Sequence, residues 1–219
     1  MKGYTHLIWD FNGTILDDLA PSIQSANDLL LAHSLPPIFS VEEYRRQFGF
    51  PIVDYYRRLG FDLEKESFAD LAVEWVAYYL ERTKGAGVFP DLVPALEFFK
   101  QKGLCQMILS ATKTDMLEGQ VESLGIRPYF HSLLGLDNIH AGGKIEIGLS
   151  WRRENPEARL LLIGDTDHDA QTAQAMGADC ILLACGHQSR AHLEGCPCLF
   201  VADSLAQACQ RLEQADNNI

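Results

Sequence analysis

Six short apolar runs punctuate this chain: THLIWDF at 5–11, CQMILSA at 105–111, SLLGL at 132–136, RLLLIGD at 159–165, CILLAC at 180–185 and CLFVAD at 198–203. Each is far shorter than the roughly 20 apolar residues a membrane helix needs. Within each, apolar residues follow one another instead of alternating with polar ones. A strand of that kind must be buried on both faces, the condition of a parallel sheet covered by helices. Between most of the runs lie helical stretches. VPALEFFKQKG and the segment 116–124 carry apolar residues at helical spacing and stop at a glycine, residues 169–176 stop at Gly177, and 204–215 close the chain. Strand–helix alternation with short connections predicts an α/β fold built on a doubly wound parallel sheet.

Residues 15–86 interrupt this rhythm. Helical segments are expected at 21–34, 41–48, 52–59 and 65–83, and little there reads as strand. The chain is therefore expected to divide into a core of residues 1–14 and 87–219 and an inserted α-helical domain of residues 15–86, with KGAG as a hinge. An insert after the first strand stands over that strand's carboxyl end, where open α/β sheets bind ligands. The apolar stripe of the last segment, from Leu71 through Trp75 and Tyr79 to Leu80, reads as the core of this helical bundle.

Composition narrows the partners. With 47% hydrophobic and 22% charged residues the chain is an ordinary globular protein, and a net charge of −12 argues against nucleic acid. A small anion is still compatible, because a bound metal or a few local cations dominate the field inside a pocket. No membrane span or signal peptide is legible, so a cytoplasmic protein, monomeric or weakly dimeric, is expected. The six cysteines lie from residue 105 onward and are read as reduced structural thiols, since Cys196-Pro197-Cys198 fits neither a zinc nor a redox spacing.

Polar residues gather at the ends of the expected strands. They are Asp10-Phe11-Asn12-Gly13-Thr14, Ser110 with Ala111 beside it, Lys144 in AGGKIEIG, and the acids of GDTDHD, Asp165 to Asp169. If the strands are parallel and adjacent, all of these meet at one edge of the sheet. Such a set suits phosphoryl transfer. Asp10 can attack phosphorus to form an aspartyl-phosphate. Asp10 and Asp165 can hold Mg2+, with Asp169 ligating it or orienting a bound water. Lys144 and Ser110 can hold phosphate oxygens and spread the charge of the transition state. Singly, each feature has a plainer reading: Asn12-Gly13 a turn, Thr14 a cap, Lys144 a solvated loop lysine, GDTDHD the start of a helix. Asp17 and Asp18 read as a hinge or helix-start pair, and Asp167 and His168 as exposed loop residues.

In their order along the chain, DFNGT, Ser110, Lys144 and GDTDHD resemble the four motifs of the haloacid dehalogenase-like hydrolases, in particular phosphoglycolate phosphatase-like and β-phosphoglucomutase-like members. The resemblance spans nearly the whole chain, including FPDLVPALEFFKQKG as the return into the core. It implies a Rossmann-like core with a small α-helical cap and Mg2+-dependent hydrolysis of a small phosphorylated metabolite, phosphoglycolate-like or a sugar phosphate. It also implies Asp10, Asn12 (through its carbonyl), Asp165 and Asp169 at the metal, and Thr14, Ser110, Ala111 and Lys144 at the phosphate. In the cap, Arg45 and Arg46 stand near FGFP, where such caps present a specificity loop; Arg45 could meet a second anion, or both could be solvated helix-face charges.

The departure is Asn12. In the resembled phosphatases the second residue after the nucleophile is usually an aspartate that protonates the leaving group and then helps deprotonate water. An amide cannot exchange a proton at neutral pH, and help of this kind is worth about 10²- to 10⁴-fold in rate. A slow phosphatase is therefore expected, with His168 or a cap group as a substitute donor, or good leaving groups such as aryl or acyl phosphates making one unnecessary. The alternative is a phosphate-ligand-binding regulatory protein with little or no turnover on the same fold. A receiver domain would lack the helical insert, no GxGxxG follows the first strand, and Gly143-Lys144 lacks the rest of a P-loop.

Overall fold

A computed structural model of the chain describes residues 3–136 and 143–217. Its centre is a parallel sheet of six strands, β1 (His6–Trp9), β2 (Cys105–Lys113), β3 (Ser132–Leu136), β4 (Leu160–Gly164), β5 (Asp179–Leu183) and β6 (Phe200–Ala202), ordered β3-β2-β1-β4-β5-β6. The consecutive apolar residues of the runs serve two cores at once. Leu7, Trp9, Ile108, Leu161, Ile163, Ile181 and Leu183 face one side, while Ile8, Met107, Leu109, Leu160, Leu162 and Leu182 face the other. Helices α5 (Leu92–Gln101), α6 (Thr114–Ser123) and α10 (Leu205–Asn217) cover the first face. Helices α7 (Gly143–Glu154), α8 (Asp167–Met176) and the short α9 (Arg190–Leu193) cover the second. This is the Rossmann-like α/β fold expected from the sequence.

The strand order reverses direction between β1 and β4. The chain moves outward from β1 through β2 to β3, then returns to β4 on the far side of β1. At such a switch point neighbouring connections leave on opposite faces and open a crevice at the strands' carboxyl ends. Register brings Trp9 level with both Ile108 and Ile163, so the residues that follow in β1 and β4 emerge side by side.

Residues between β1 and α5 form α1 (Leu19–Ala32), α2 (Val41–Gln47), α3 (Ile52–Leu59) and α4 (Phe68–Arg82) around a separate apolar cluster that includes Leu29, Leu30, Tyr56 and Leu71. The two chain segments joining this bundle to the sheet run antiparallel, with Leu16 bridged to Val88 and the Asp17 amide donating to the Gly87 carbonyl. Paired connections fix where the bundle stands over the sheet. One expectation is corrected here. The α4 stripe is not simply bundle core: Leu71 and Tyr79 are buried, Val73, Val76 and Leu80 are exposed, and Trp75 and Tyr79 line a cavity. The helix α7 was not foreseen. Of its motif AGGKIEIG, Ala141 and Gly142 lie outside the described residues, and Lys144 stands in the first turn of the helix.

All six cysteines are free thiols, and no helix among the described residues is long and apolar enough to cross a membrane.

Trp9 ties the sheet to its covering helix. Its buried indole N–H donates to Gln106 Oε1 at 3.0 Å, and Gln106 Nε2 donates to the Leu96 carbonyl of α5. Trp9→Phe strands the Gln106 acceptor in the core, and a buried unpaired polar group costs about 1–3 kcal/mol. Urea denaturation of Trp9→Phe is expected to give a loss of that size with an unchanged slope; a loss under about 0.5 kcal/mol would show that the tie contributes little.

Candidate active site

Asp10 follows β1 directly, its amide held by the Ile163 carbonyl of β4. Asp165 follows β4, and Asp169 lies in the first turn of α8, whose Thr166–Asp169 capping box closes the helix start. One carboxylate oxygen from each of the three lies within 4.8 Å of the others. Lys144 reaches in from α7 and donates to Asp10 Oδ1 at 2.5 Å and to Asp169 Oδ1. The sequence pieces at 10, 144, 165 and 169 therefore meet at one point.

The space between them is set by glycines. A side chain at Gly164 would run into the Asp169 carboxylate, and one at Gly186 into that of Asp165. Gly13 has φ of +73°, a left-handed backbone that few other residues adopt, and a Cβ there would lie 2.3 Å from Asp165 Oδ2. Asp165 and Asp169 are packed against backbone, out of water, while Asp10 keeps an edge on the cavity.

Their electrostatics follow. Burial, then the charge of Asp169, pushes the Asp10 carboxyl well up, with Lys144 pulling the other way. Burial likewise lifts Asp165 to about 6 against the opposing charge of His187. Asp169 is held low: burial opposes its charge, but Lys144 and the Thr166 donors outweigh it. Lys144 is held charged, because Asp10 and Asp169 outweigh its desolvation. Lys144 serves Asp10 and Asp169, while Asp165 is held by the Thr14 hydroxyl and the His187 amide, so once all three acids ionise negative charge exceeds positive. An all-oxygen, buried set with excess negative charge is what a hard divalent cation takes. Mg2+ fits these residues.

Asn12 is held as an amide. Its Nδ2 donates to Asp18 Oδ2 at 3.0 Å and to the Tyr79 hydroxyl at 2.7 Å, and its Oδ1 accepts from Thr112 Oγ1 at 3.0 Å. Asp18 is the hub of this network. Besides Asn12 it receives the Gly13 amide, the Tyr79 hydroxyl and His187 Nε2. Burial alone would lift its carboxyl, but His187, Tyr79 and Asn12 together bring it below the usual carboxylate range. His187 loses by burial and gains more from Asp18, which pushes it up to about 9; its Nδ1 meets the Tyr44 hydroxyl at 2.9 Å. At neutral pH this is an ion pair locked in the wall of the site.

The remaining sequence candidates fall as follows. Thr14 donates to Asp165 Oδ1 at 3.1 Å, so its hydroxyl supports an acid. Ser110 is buried at the cavity wall with Ala111 and accepts from the Thr112 amide. Arg45 does not line the cavity; its guanidinium donates to the carbonyls of Cys185 and Gly186 and ties α2 to the loop after β5. Arg46 is exposed. Two further readings need correcting. Asp18 is not merely a helix-start residue: it stands at the start of α1 but makes no side-chain cap and is spent on the Asn12–His187 network. Asp167 and His168 are in the first turn of α8 and not in an exposed loop; His168 is half-buried on the cavity, stacked on Phe50 with ring centroids 4.6 Å apart. Burial and the nearby Lys144 lower its pKa, so it is neutral at pH 7. His187 was missed altogether.

Over these groups lies a cavity of about 460 Å3, floored by Asp10, Asn12, Ser110 and Lys144 and roofed by the α2–α4 bundle. The roof is aromatic: Tyr44, Phe48, Phe50, Tyr55, Trp75 and Tyr79 all face it. Phe48 and Phe50 belong to the FGFP turn singled out in the sequence.

Comparison with known proteins agrees with this geometry. Residues 7–183 match the family model of the haloacid dehalogenase-like hydrolases. A phosphoglycolate phosphatase of Rhodobacter capsulatus is 28% identical over 199 residues, covering 83% of this chain and 85% of that protein. One from Yersinia pseudotuberculosis is 27% identical over 202 residues, covering 85% and 83%. Among solved structures, a haloacid dehalogenase-like hydrolase from Streptococcus pneumoniae superposes with a TM-score of 0.81 at 18% identity, over 97% of this chain and 100% of that one. Protein tyrosine kinase A of Mycobacterium tuberculosis reaches 0.79 at 18% identity, over 96% and 99%. At such identities the superpositions speak for the fold alone. The family match spans both ends of the acid cluster, and this chain belongs to the haloacid dehalogenase-like hydrolases.

Proposed function

We propose that the chain is a Mg2+-dependent phosphatase that hydrolyses small phosphate monoesters through an aspartyl-phosphate on Asp10. The observation that carries this reading is the convergence of Asp10, Asp165 and Asp169 on one point at the sheet's switch point, with Lys144 paired to Asp10 and Asp169. The chain is a phosphoric monoester hydrolase, in keeping with its phosphatase relatives.

Asp10, Asp165 and Asp169 would hold the metal, with the carbonyl of Asn12 as a further ligand; when bound, Mg2+ supplies charge that offsets the phosphate dianion. Lys144 holds Asp10 in place and neutralises part of the repulsion an incoming phosphate meets. Ser110 stands at the cavity floor as a donor for a phosphate oxygen. A carboxylate oxygen of Asp10 attacks phosphorus, and the ester oxygen leaves with the bonding pair. Water then attacks the acyl phosphate, Asp10 recovers its carboxylate, and phosphate departs with both protons of that water. Asn12 contributes no proton to either step. Its Nδ2 hydrogens are spent on Asp18 and Tyr79, Asp18 is itself an anion, and His168 is neutral. Esters with basic leaving groups, phosphoglycolate and sugar phosphates among them, are therefore turned over slowly. The residues 15–86 act as the cap that closes over the substrate.

Mutation separates nucleophile from acid. Asp10→Asn is expected to abolish phosphate release from any ester. Asn12→Asp places a carboxyl 3.0 Å from Asp18; like charges at that range keep one of the two protonated, and a protonated carboxyl is the donor the site lacks. Its kcat/KM for phosphoglycolate is expected to rise by about 10²-fold or more. Mg2+-dependent release that survives Asp10→Asn would overturn the reading, and an unchanged Asn12→Asp rate would overturn the role given to the amide.

Metal binding is checked without turnover. At 100 times its Kd, Mg2+ adds about 2.7 kcal/mol to stability, a rise in Tm of roughly 5–10 °C for a chain this size. Calorimetry should show that rise in the wild type and its loss in Asp165→Asn.

A further inference from the structure

The chamber above Asp10 has a chemistry that its phosphate end does not explain. From the floor upward, the first cap group is Tyr79, bonded to Asn12 Nδ2. Its ring stacks on Trp75 with centroids 4.8 Å apart and planes 20° apart. Elsewhere on the wall Phe48 lies against His187 at 5.2 Å, and Phe50 against His168 at 4.6 Å. Rings thus begin one hydrogen bond from the reacting groups and continue through the volume a leaving group would occupy. Among the described residues, cations on this wall apart from the histidines are Lys144, committed to Asp10 and Asp169, and Lys113, half-exposed and 3.5 Å from Asp115. Arg45, the cap cation that could have met a carboxylate, is turned to backbone carbonyls. The chamber suits a flat apolar group better than a carboxylate or a polyhydroxylated sugar.

A second observation points the same way from the chemistry of departure. Asn12 is an amide with both Nδ2 hydrogens committed to Asp18 and Tyr79, so it gives no proton to the ester oxygen and the site favours leaving groups that are stable as anions. Phenols, with pKa about 10, leave as phenolates far more readily than alcohols, whose alkoxides are about as basic as hydroxide, near 16.

We propose that the preferred substrate of this chain is the phosphate monoester of a phenol, its ring held in the chamber between Trp75–Tyr79 and Phe48–Phe50. The proposal rests on the phosphatase reading and narrows it. In the first step the P–O bond to the ring oxygen breaks as the Asp10–phosphorus bond forms, and the phenolate carries away the electron pair and takes a proton from solvent. In the second, water hydrolyses the aspartyl-phosphate to dihydrogen phosphate and the Asp10 carboxylate. Because no base assists that water, the second step is the slow one for an aryl ester.

The test compares kcat/KM with Mg2+ for phenyl phosphate, phosphoglycolate and glucose 6-phosphate. Phenyl phosphate is expected to lead by about 10³-fold or more, with an initial burst of about one phenol per protein, and Asn12→Asp to shrink the lead by about 10²-fold. Binding is read separately, by calorimetry on the wild type with Mg2+ and either phenylphosphonate or methylphosphonate, neither of which carries a hydrolysable ester bond. Phenylphosphonate should bind at least tenfold tighter, and Trp75→Leu and, independently, Phe50→Leu should each remove most of that margin while leaving methylphosphonate unchanged. Phosphoglycolate or glucose 6-phosphate within tenfold of phenyl phosphate, or equal binding of the two phosphonates, overturns the aryl assignment and leaves the phosphatase reading standing. No release from any ester overturns both.

Discussion

Three carboxylates buried beside a single ammonium are an expensive arrangement, and most of the architecture around the sheet's switch point serves to hold it. Unpaired, the acids would take up protons or let in water; paired with Lys144 alone they still carry excess negative charge, which is why Asp10 and Asp165 are pushed up while Asp169 is held down. The protein tolerates this because the surroundings are rigid. Strands buried on both faces fix where Asp10 and Asp165 emerge, the capping box of α8 fixes Asp169, and glycines at 13, 164 and 186 let backbone approach the carboxylates where any Cβ would collide. Excess negative charge of this kind attracts a divalent cation, whose charge would in turn offset the repulsion that a phosphate dianion meets there.

A second charge arrangement sits beside the first and is of a different kind. Asp18 and His187 form a closed, fully bonded pair, fed by Asn12, Tyr79, Gly13 and Tyr44. It joins the floor of the site to the cap, because Tyr79 and Tyr44 come from α4 and α2 while Asn12 and His187 come from the sheet's edge. The same pair explains why an amide fits at position 12: its N–H groups satisfy acceptors that a carboxylate would repel. The contact to the helical bundle and the amide at position 12 thus belong to one hydrogen-bond network.

How much of this was readable in the sequence depended on how far each residue's meaning is local. The strands were legible because burial on both faces leaves an unbroken apolar run, as in Leu160 to Ile163. The acids at 10, 165 and 169 were legible because each closes such a run or opens the helix after it. Asp18 was not. Its neighbours in sequence suggest a helix start, and its role comes from His187, 169 positions away. His187 itself stood two residues beyond the CILLAC run, at the same sheet edge as the other site residues; a histidine there, after Gly186, was the signal available. Helix α7 was hidden by its glycines and isoleucines, which read poorly as helix. Tertiary packing overrides that preference: a Cβ at Gly148 would lie 2.5 Å from Met176 Sδ, so the glycine lets α7 approach α8 without displacing that side chain. The α4 stripe misled for the opposite reason, because helical spacing of apolar residues says that a face is covered without saying by what.

That last ambiguity bears on how activities diversify on one fold. The fold is shared with solved structures as different by name as a haloacid dehalogenase-like hydrolase and a tyrosine kinase, so architecture does not select the chemistry. Selection falls to the few side chains between sheet edge and cap. Here two of those choices act on the same part of a substrate. On the reading proposed above, the amide at Asn12 would fix which leaving groups can depart unaided, and the rings from Trp75 to Phe50 would fix which can be held while they do. Either alone would be a weak filter, since apolar pockets accept many shapes and a missing acid slows every basic leaving group alike. Acting together on one fragment their effects multiply. A site can thus become specific by losing a proton donor, provided the wall above it favours the ligands that do not need one.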